Sequence, residues 1–150
     1  MPNPPPRDAA QRKRDTLARL ESDVDAWVAT ADGDGNPYLV PLSYLWDGST
    51  LTFATPERSP TGRNLRAGGR VRLALGPTRD VVLIDGTVES FTLDTVPEEL
   101  ADAFARKHWD ARLSTPRYGY FRVTPQRIHA WREENELKGR ELMRDGVWLV

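Results

Sequence analysis

The stretch that decides the fold runs from Phe53 to Arg70 and reads FATPERSPTGRNLRAGGR. It opens as the end of a strand, and a short loop then carries Arg58 into Ser59-Pro60. Serine is a favoured helix N-cap and proline fits the first helical position, so a helix is predicted to begin there. Gly68-Gly69 predicts the end of the same helix. The sequence therefore predicts a strand, a loop and a short helix, and the start of such a helix attracts anions.

The polar residues of this stretch suit a phosphate group. The side chains of Ser59, Thr61 and Asn64 can donate hydrogen bonds, and Arg58 and Arg63 can add positive charge. Thr61 is expected to face the groove that holds the ligand. The alternative is a purely structural role, in which Ser59 is the helix cap and nothing more and both arginines stay solvated.

Outward from this stretch the chain reads as several short strands with helices at the edges. Asp32-Gly33-Asp34-Gly35-Asn36 and Asp47-Gly48 are strong turn signals. Closely spaced strands with few helices indicate a mainly β protein, a β-barrel with flanking helices. Residues 1–7 are expected to form a disordered tail, and residues 8–150 a single domain. Helices are predicted at about 8–21, 60–68 and 97–108, and strands at about 24–30, 38–46, 51–55, 71–75, 80–93, 118–131 and 141–150.

Composition excludes several classes of site and partner. The chain has no cysteine and only two histidines, which argues against disulfides, thiolate metal centres and a histidine-built metal site. A net charge of −1 gives no overall attraction to nucleic acid or to anionic lipid. We therefore expect no metal, no nucleic-acid partner, no membrane partner and a cytoplasmic location. Arginine supplies 18 of the 21 basic residues, which suits phosphate binding but also follows from a GC-rich genome.

Three blocks of the sequence resemble the pyridoxamine phosphate oxidase-like family of flavoproteins. The second block is Arg79-Asp80-Val81 followed by Asp85-Gly86, and the third runs from Trp131 through residues 135–140 to Trp148. The blocks occur in the family's order and span most of the chain. The first block matches the family's flavin-phosphate segment at Phe53, Thr55, Ser59, Gly62, Arg63, Leu65 and Arg70.

The resemblance implies a split β-barrel of the FMN-binding type that works as a homodimer, with the cofactor in a groove between subunits. It places the phosphate on the strand–helix loop, the ring along β-strand backbone, and a tryptophan and an arginine from the partner subunit against the cofactor. The implied cofactor-binding residues are Val40, Pro41, Leu42, Ser43, Thr55, Arg58, Ser59, Thr61, Arg63, Asn64, Arg79, Asp80, Trp131 and Arg140.

Departures from the family pattern bear on the ligands. Pro60-Thr61 stands where the family has an Arg-Lys pair that binds the phosphate. Glu136 and Lys138 stand where the family has side chains that bind a substrate phosphate, so the resemblance implies a small organic substrate other than pyridoxamine phosphate. Asn64-Leu65 is similar to the deazaflavin-using branch, so coenzyme F420 is the alternative to FMN.

Two functional hypotheses remain open, and a third possibility is a structural dimer whose groove is empty. The first is an FMN- or F420-dependent oxidoreductase, in which the cofactor carries the redox chemistry and no catalytic side chain is assigned. The second is a non-catalytic module that binds FMN or haem or transfers electrons. The aromatic residues Trp27, Tyr38, Tyr44 and Trp46 are expected in the core, with the groove as the alternative position for Trp46.

Overall fold

A computed structural model describes residues 2–150 and contains three α-helices and eight β-strands. The helices are α1 (Ala9–Ser22), α2 (Pro60–Gly68) and α3 (Glu98–Lys107). Short 3₁₀ helices occur at Ala111–Leu113 and Glu134–Glu136. The strands are β1 (Asp25–Ala31), β2 (Pro37–Trp46), β3 (Leu51–Pro56), β4 (Arg70–Leu75), β5 (Val81–Phe91), β6 (Tyr118–Trp131), β7 (Glu141–Arg144) and β8 (Val147–Trp148).

Six of the strands form a closed antiparallel barrel. Their order is β3-β2-β1-β4-β5-β6, and pairing of β3 with β6 closes the sheet. The later part of β6 also pairs with β7, and β8 follows at the edge. The predicted mainly β class and the barrel with flanking helices are confirmed. The predicted last strand is two short strands, because Asp145 and Gly146 adopt positive φ and turn the chain.

Two helices cover opposite ends of the barrel. α2 connects β3 to β4, and its Asn64 Nδ2 donates to Thr30 Oγ1 near the end of β1 at 3.1 Å. α1 precedes β1, and the Tyr44 hydroxyl donates to the carbonyl of Leu20 at 2.9 Å. The two helices are therefore separated by the length of β1, about 20 Å for seven residues of strand.

β2 gives the barrel its split. It pairs with β1 from Pro37 to Ser43, but with β3 only from Tyr44 to Trp46. Pro41 lacks an N–H donor and fits an edge that has a neighbour on one side only. Within the described residues, the backbone of residues 37–43 therefore has a strand beside it on the β1 side and none on the β3 side.

The barrel core holds some of the predicted aromatic residues and not others. Tyr44 is fully buried and Trp46 packs against the core, as predicted. The prediction for Trp27 and Tyr38 is wrong, since they are 49% and 41% exposed in the subunit. Trp27 lies between buried Ala26 and Val28 on β1, so the strand alternation turns it outward.

Residues 2–8 have no regular secondary structure, but Arg7 is bonded to the body of the protein. Arg7 belongs to the predicted tail, and its guanidinium donates to Glu136 Oε1 at 2.7 Å. Within residues 2–150, no helix combines the length and the apolar character needed to cross a bilayer.

Candidate functional site

The start of α2 is organised around Ser59. Its Oγ accepts the N–H of Gly62 at 3.0 Å and donates to the carbonyl of Pro56 at 2.8 Å. Arg63 Nη1 donates to the carbonyl of Arg58 at 2.9 Å. The helix ends at Gly69, which adopts a left-handed conformation. The strand–loop–helix prediction is confirmed together with both helix ends.

This geometry limits which groups can meet an anion. The hydroxyl of Ser59 already donates its proton to the carbonyl of Pro56, so the geometry shows Ser59 as the cap of α2. The expectation that Thr61 faces the groove is wrong, because Thr61 is only 2% exposed and lies in the interior. Thr55 is 5% exposed and also points inward. The groups that still face solvent are the backbone at the start of α2 and the arginines beside it.

The arginines around α2 have no carboxylate partners. No Asp or Glu oxygen within residues 2–150 lies within 4 Å of the guanidinium nitrogens of Arg58, Arg63, Arg66 or Arg70. Other arginines of the barrel do form such pairs. The end of the barrel at α2 therefore carries positive charge that no ion pair neutralises.

The split of the barrel opens beside this charged helix. α2 packs against β2 and β3, and the unpaired side of β2 includes Val40, Pro41, Leu42 and Ser43. The structure thus brings the predicted ring-binding strand and the predicted phosphate loop to one region. A planar ligand there would meet strand backbone along its ring and positive charge at its end.

The predicted residues Arg79 and Asp80 lie at the other end of the barrel. Arg79 forms an ion pair with Glu133 at 2.6 Å. Asp80 pairs with Arg19 at 3.1 Å and with Arg132 at 3.4 Å. The fold of the single chain therefore does not bring this pair to α2.

Trp131 and Arg140 share that second end. Trp131 pairs with Val81 in the sheet, and the carbonyl of Arg140 accepts the N–H of Ala130 at 2.9 Å. The exposed side chain of Arg140 donates only to the carbonyl of Leu137, at 2.9 Å, among residues 2–150. The predicted cofactor residues thus form two groups at opposite ends of the barrel.

A potential acid–base group lies on the same strand face as Trp131. His129 is two residues away, and its Nε2 lies 3.7 Å from Glu141 Oε2. This nitrogen has no hydrogen-bond partner among residues 2–150. His129 lies on the outer side of the barrel, between core residues Ile128 and Ala130, but its Nε2 is shielded from solvent within the chain.

Glu136 does not face a substrate, contrary to the sequence-based expectation. It is 3% exposed, and its Oε1 and Oε2 accept hydrogen bonds from Arg7 and from the N–H of Arg132. The hydrogen bonds from the Arg7 side chain lower the pKa of Glu136 to about 2, against the opposing effect of burial. The carboxylate is a buried structural anion.

Sequence reasoning missed Arg7 and Arg12, which hold the segment around Glu136. Arg12 is 4% exposed and lies on the same face of α1 as buried Thr16 and Leu20. The i, i+4, i+8 spacing of these three residues was the available signal. An arginine at such a position is usually read as solvent-exposed, so its burial was not apparent.

Comparisons with known proteins agree with this architecture. Solved structures with the same fold include General Stress Protein 26 from Bacillus anthracis, with 17% identity, a TM-score of 0.64 and coverage of 81% of this chain and 96% of that one. An F420 reductase gives 20% identity, a TM-score of 0.58 and coverage of 74% and 93%. HupZ of Group A Streptococcus gives 23% identity, a TM-score of 0.62 and coverage of 79% and 94%.

The family comparison covers most of the chain. No curated protein matches the sequence. The family model described as pyridoxamine 5'-phosphate oxidase matches residues 15–132, which include the whole six-stranded barrel and α2. The chain therefore belongs to the pyridoxamine 5'-phosphate oxidase-like family of split β-barrels.

Proposed function

We propose that this protein is a homodimeric oxidoreductase that binds FMN, or alternatively coenzyme F420, in a groove between subunits and acts on a small organic substrate. One observation carries the proposal. Three of the arginines assigned to the cofactor, Arg58, Arg63 and Arg140, lack carboxylate partners among residues 2–150. Charged groups left without partners are suited to an anionic ligand.

The residues present fit such a cofactor. The unpaired edge of β2 at Val40–Ser43 offers backbone groups along a ring. The start of α2 offers a helix dipole, and Arg58 and Arg63 offer charge for a phosphate. With Pro60-Thr61 in place of two cationic side chains and the Ser59 proton already used, affinity for FMN should be modest.

A second subunit would complete the groove. Trp131 and Arg140 lie about one strand length from α2 in the same chain, so they would reach the cofactor from the partner. The outer face of the sheet supports this arrangement, because Trp27, Ala29, Leu39 and Pro41 form neighbouring outward positions of β1 and β2. Leu39 is 60% exposed, and such an apolar face fits a second copy of the chain.

The chemistry follows from the cofactor, and the protein positions it. When bound, a flavin or deazaflavin supplies hydride transfer. The α2 start and its arginines hold the anionic end, and the β2 edge orients the ring. The partner subunit excludes water from the groove.

Trp27→Asp is expected to dissociate the dimer. An aromatic residue at an interface centre contributes about 2 kcal/mol or more, a factor of about 30 in Kd, and a buried unpaired carboxylate adds to the loss. Light scattering at micromolar concentration would show a dimer for the wild type and a monomer for the variant. Leu113→Asp is the control, because Leu113 is 81% exposed and lies outside the β1–β2 face. A Trp27→Asp dimer as tight as the wild type would contradict the assigned interface.

Arg140→Ala is expected to weaken FMN binding by about tenfold, which corresponds to one charge-assisted hydrogen bond. Arg144→Ala is the matched control, since Arg144 ends β7 just as Arg140 precedes it, but Arg144 pairs with Glu141. Fluorescence titration of FMN and of F420 into the three proteins measures both effects. Equal losses in the two variants would count against the role given to Arg140.

A non-catalytic binding module is the second candidate. The replacement of two cationic side chains by Pro60-Thr61, with Thr61 buried, favours weak or different ligand binding. The absorbance spectrum of purified protein and the mass of the released ligand would identify the cofactor. Reduction of the bound cofactor followed by reoxidation with an added electron acceptor would support the oxidoreductase, and a cofactor that resists reduction would support the module.

A further inference from the structure

The segment from Trp131 to Arg140 crosses from β6 to β7 with only one short 3₁₀ helix, Glu134–Glu136. Groups from the beginning of the chain bind it at several points. Asn135 Nδ2 donates to the carbonyl of Pro4 at 2.8 Å. The remaining bonds come from two arginines, and we call this set of contacts the clasp.

Arg7 binds the side chain of Glu136 with three donors. Its backbone N–H and Nε donate to Oε2 at 2.9 and 3.0 Å, and its Nη2 donates to Oε1 at 2.7 Å. Nη1 donates to Asp15 of α1 at 3.0 Å. The Arg7 side chain is 10% exposed and that of Glu136 is 3% exposed, so solvent screens this pair weakly.

Arg12 binds the backbone of the same segment. Its Nη1 donates to the carbonyls of Ala130 and Glu136 at 3.2 and 2.8 Å, and its Nη2 donates to that of Lys138 at 3.3 Å. Its Nε donates to the carbonyl of Arg7 at 3.2 Å. One buried guanidinium therefore ties the end of β6, the 3₁₀ helix and the residues before Arg140 to α1.

We propose that Arg7 and Arg12 are positioning residues, which hold Trp131–Arg140 in the geometry that meets the cofactor bound by the partner subunit. This inference rests on the proposed function, because that function assigns Trp131 and Arg140 to the cofactor. Neither arginine is assigned a contact with the cofactor, and both act through the segment they hold.

The physical reason is the cost of ordering a segment at the moment of binding. Each backbone residue fixed on binding loses conformational freedom, and this loss reduces affinity. A clasp that orders the segment beforehand removes that loss from the binding step. Without it, only the fraction of molecules with the correct geometry binds the cofactor.

The test uses the full-length protein with FMN and with F420 as probes. Arg7→Ala is expected to weaken binding by about tenfold, and Arg7→Lys, which retains one ion pair, is expected to recover part of the loss. The visible circular dichroism of bound FMN should change in Arg7→Ala, since the groups around the ring shift. Arg14→Ala is the control, because Arg14 is exposed on α1 and donates only to Gln11 among the described residues. The titrations are run at a temperature at which urea unfolding shows that every variant is folded. Weaker binding then does not reflect unfolded protein.

Hydrogen exchange of the amides of residues 133–139 gives a second, cofactor-free measurement. These amides should exchange faster in Arg7→Ala than in the wild type or in Arg14→Ala. If the wild type binds FMN or F420 and Arg7→Ala binds it equally tightly with the same circular dichroism, the clasp proposal is overturned while the proposed function stands. If the wild type binds neither, the proposed function fails, and exchange decides whether the clasp orders the segment, with unchanged exchange overturning it.

Discussion

Gly62→Ala is expected to destabilise the protein by about 2–4 kcal/mol and to abolish FMN or F420 binding. A Cβ at position 62 would lie 2.5 Å from the carbonyl oxygen of Pro56 and 2.8 Å from that of Glu57. Both are backbone atoms, so no side-chain rotation relieves the clash and the loop before α2 must move. Urea unfolding and FMN titration measure the two effects.

Gly68→Ala is the control for this prediction. It lies in the same helix, and a Cβ there meets no atom within 4 Å among the described residues. The change should leave stability unaltered or raise it by up to about 1 kcal/mol through the lower entropy of the unfolded chain. If Gly62→Ala stayed within about 0.5 kcal/mol of the wild type, the close packing of α2 on its loop would be refuted.

The free energy of unfolding is expected to fall by about 3 kcal/mol between pH 5 and pH 2 because of Glu136 alone. Hydrogen bonds from Arg7 lower its pKa from the ordinary value of 4.5 to about 2 in the folded protein. A lowered folded-state pKa stabilises the protein above the unfolded-state pKa, and this contribution is lost as pH falls through the folded-state value. Urea unfolding at a series of pH values measures it.

Glu136→Gln isolates this contribution from those of other carboxylates. The variant should be less stable than the wild type at pH 6, and the difference should shrink as pH falls toward 2. Glu134→Gln is the matched control on the same 3₁₀ helix, since Glu134 is exposed. A constant stability difference between Glu136→Gln and the wild type across this pH range would show that Glu136 does not titrate with a lowered pKa.

Local signals explain why much of the fold was predictable. The cap at Ser59, the proline after it and the glycines at the helix end act within a few residues, and each worked as predicted. Turn dipeptides such as Asp47-Gly48 likewise separated strands correctly. The barrel followed because closely spaced short strands must close or pack to bury one face.

The candidate site was predictable only in part, because side-chain direction depends on distant neighbours. Thr61 and Glu136 were both assigned to ligand-facing positions, and both are buried. Glu136 is inward because Arg7, 129 residues away in sequence, provides the charge that compensates its burial. No local pattern announces such a pair.

The sequence by itself determined most of the helices and strands, the mainly β barrel and the capped start of α2, because capping, turn formation and strand alternation are short-range effects. The split-barrel type followed from the resemblance of three sequence blocks to a known family. Only the tertiary structure decided that β2 separates from β3 beside α2, and that Trp131 and Arg140 lie at the opposite end of the subunit. The tertiary structure also decided that Arg7 and Arg12 hold the segment between Trp131 and Arg140. These features depend on sheet register and on contacts across more than a hundred residues, where burial and charge compensation, rather than local preference, set the direction of each side chain.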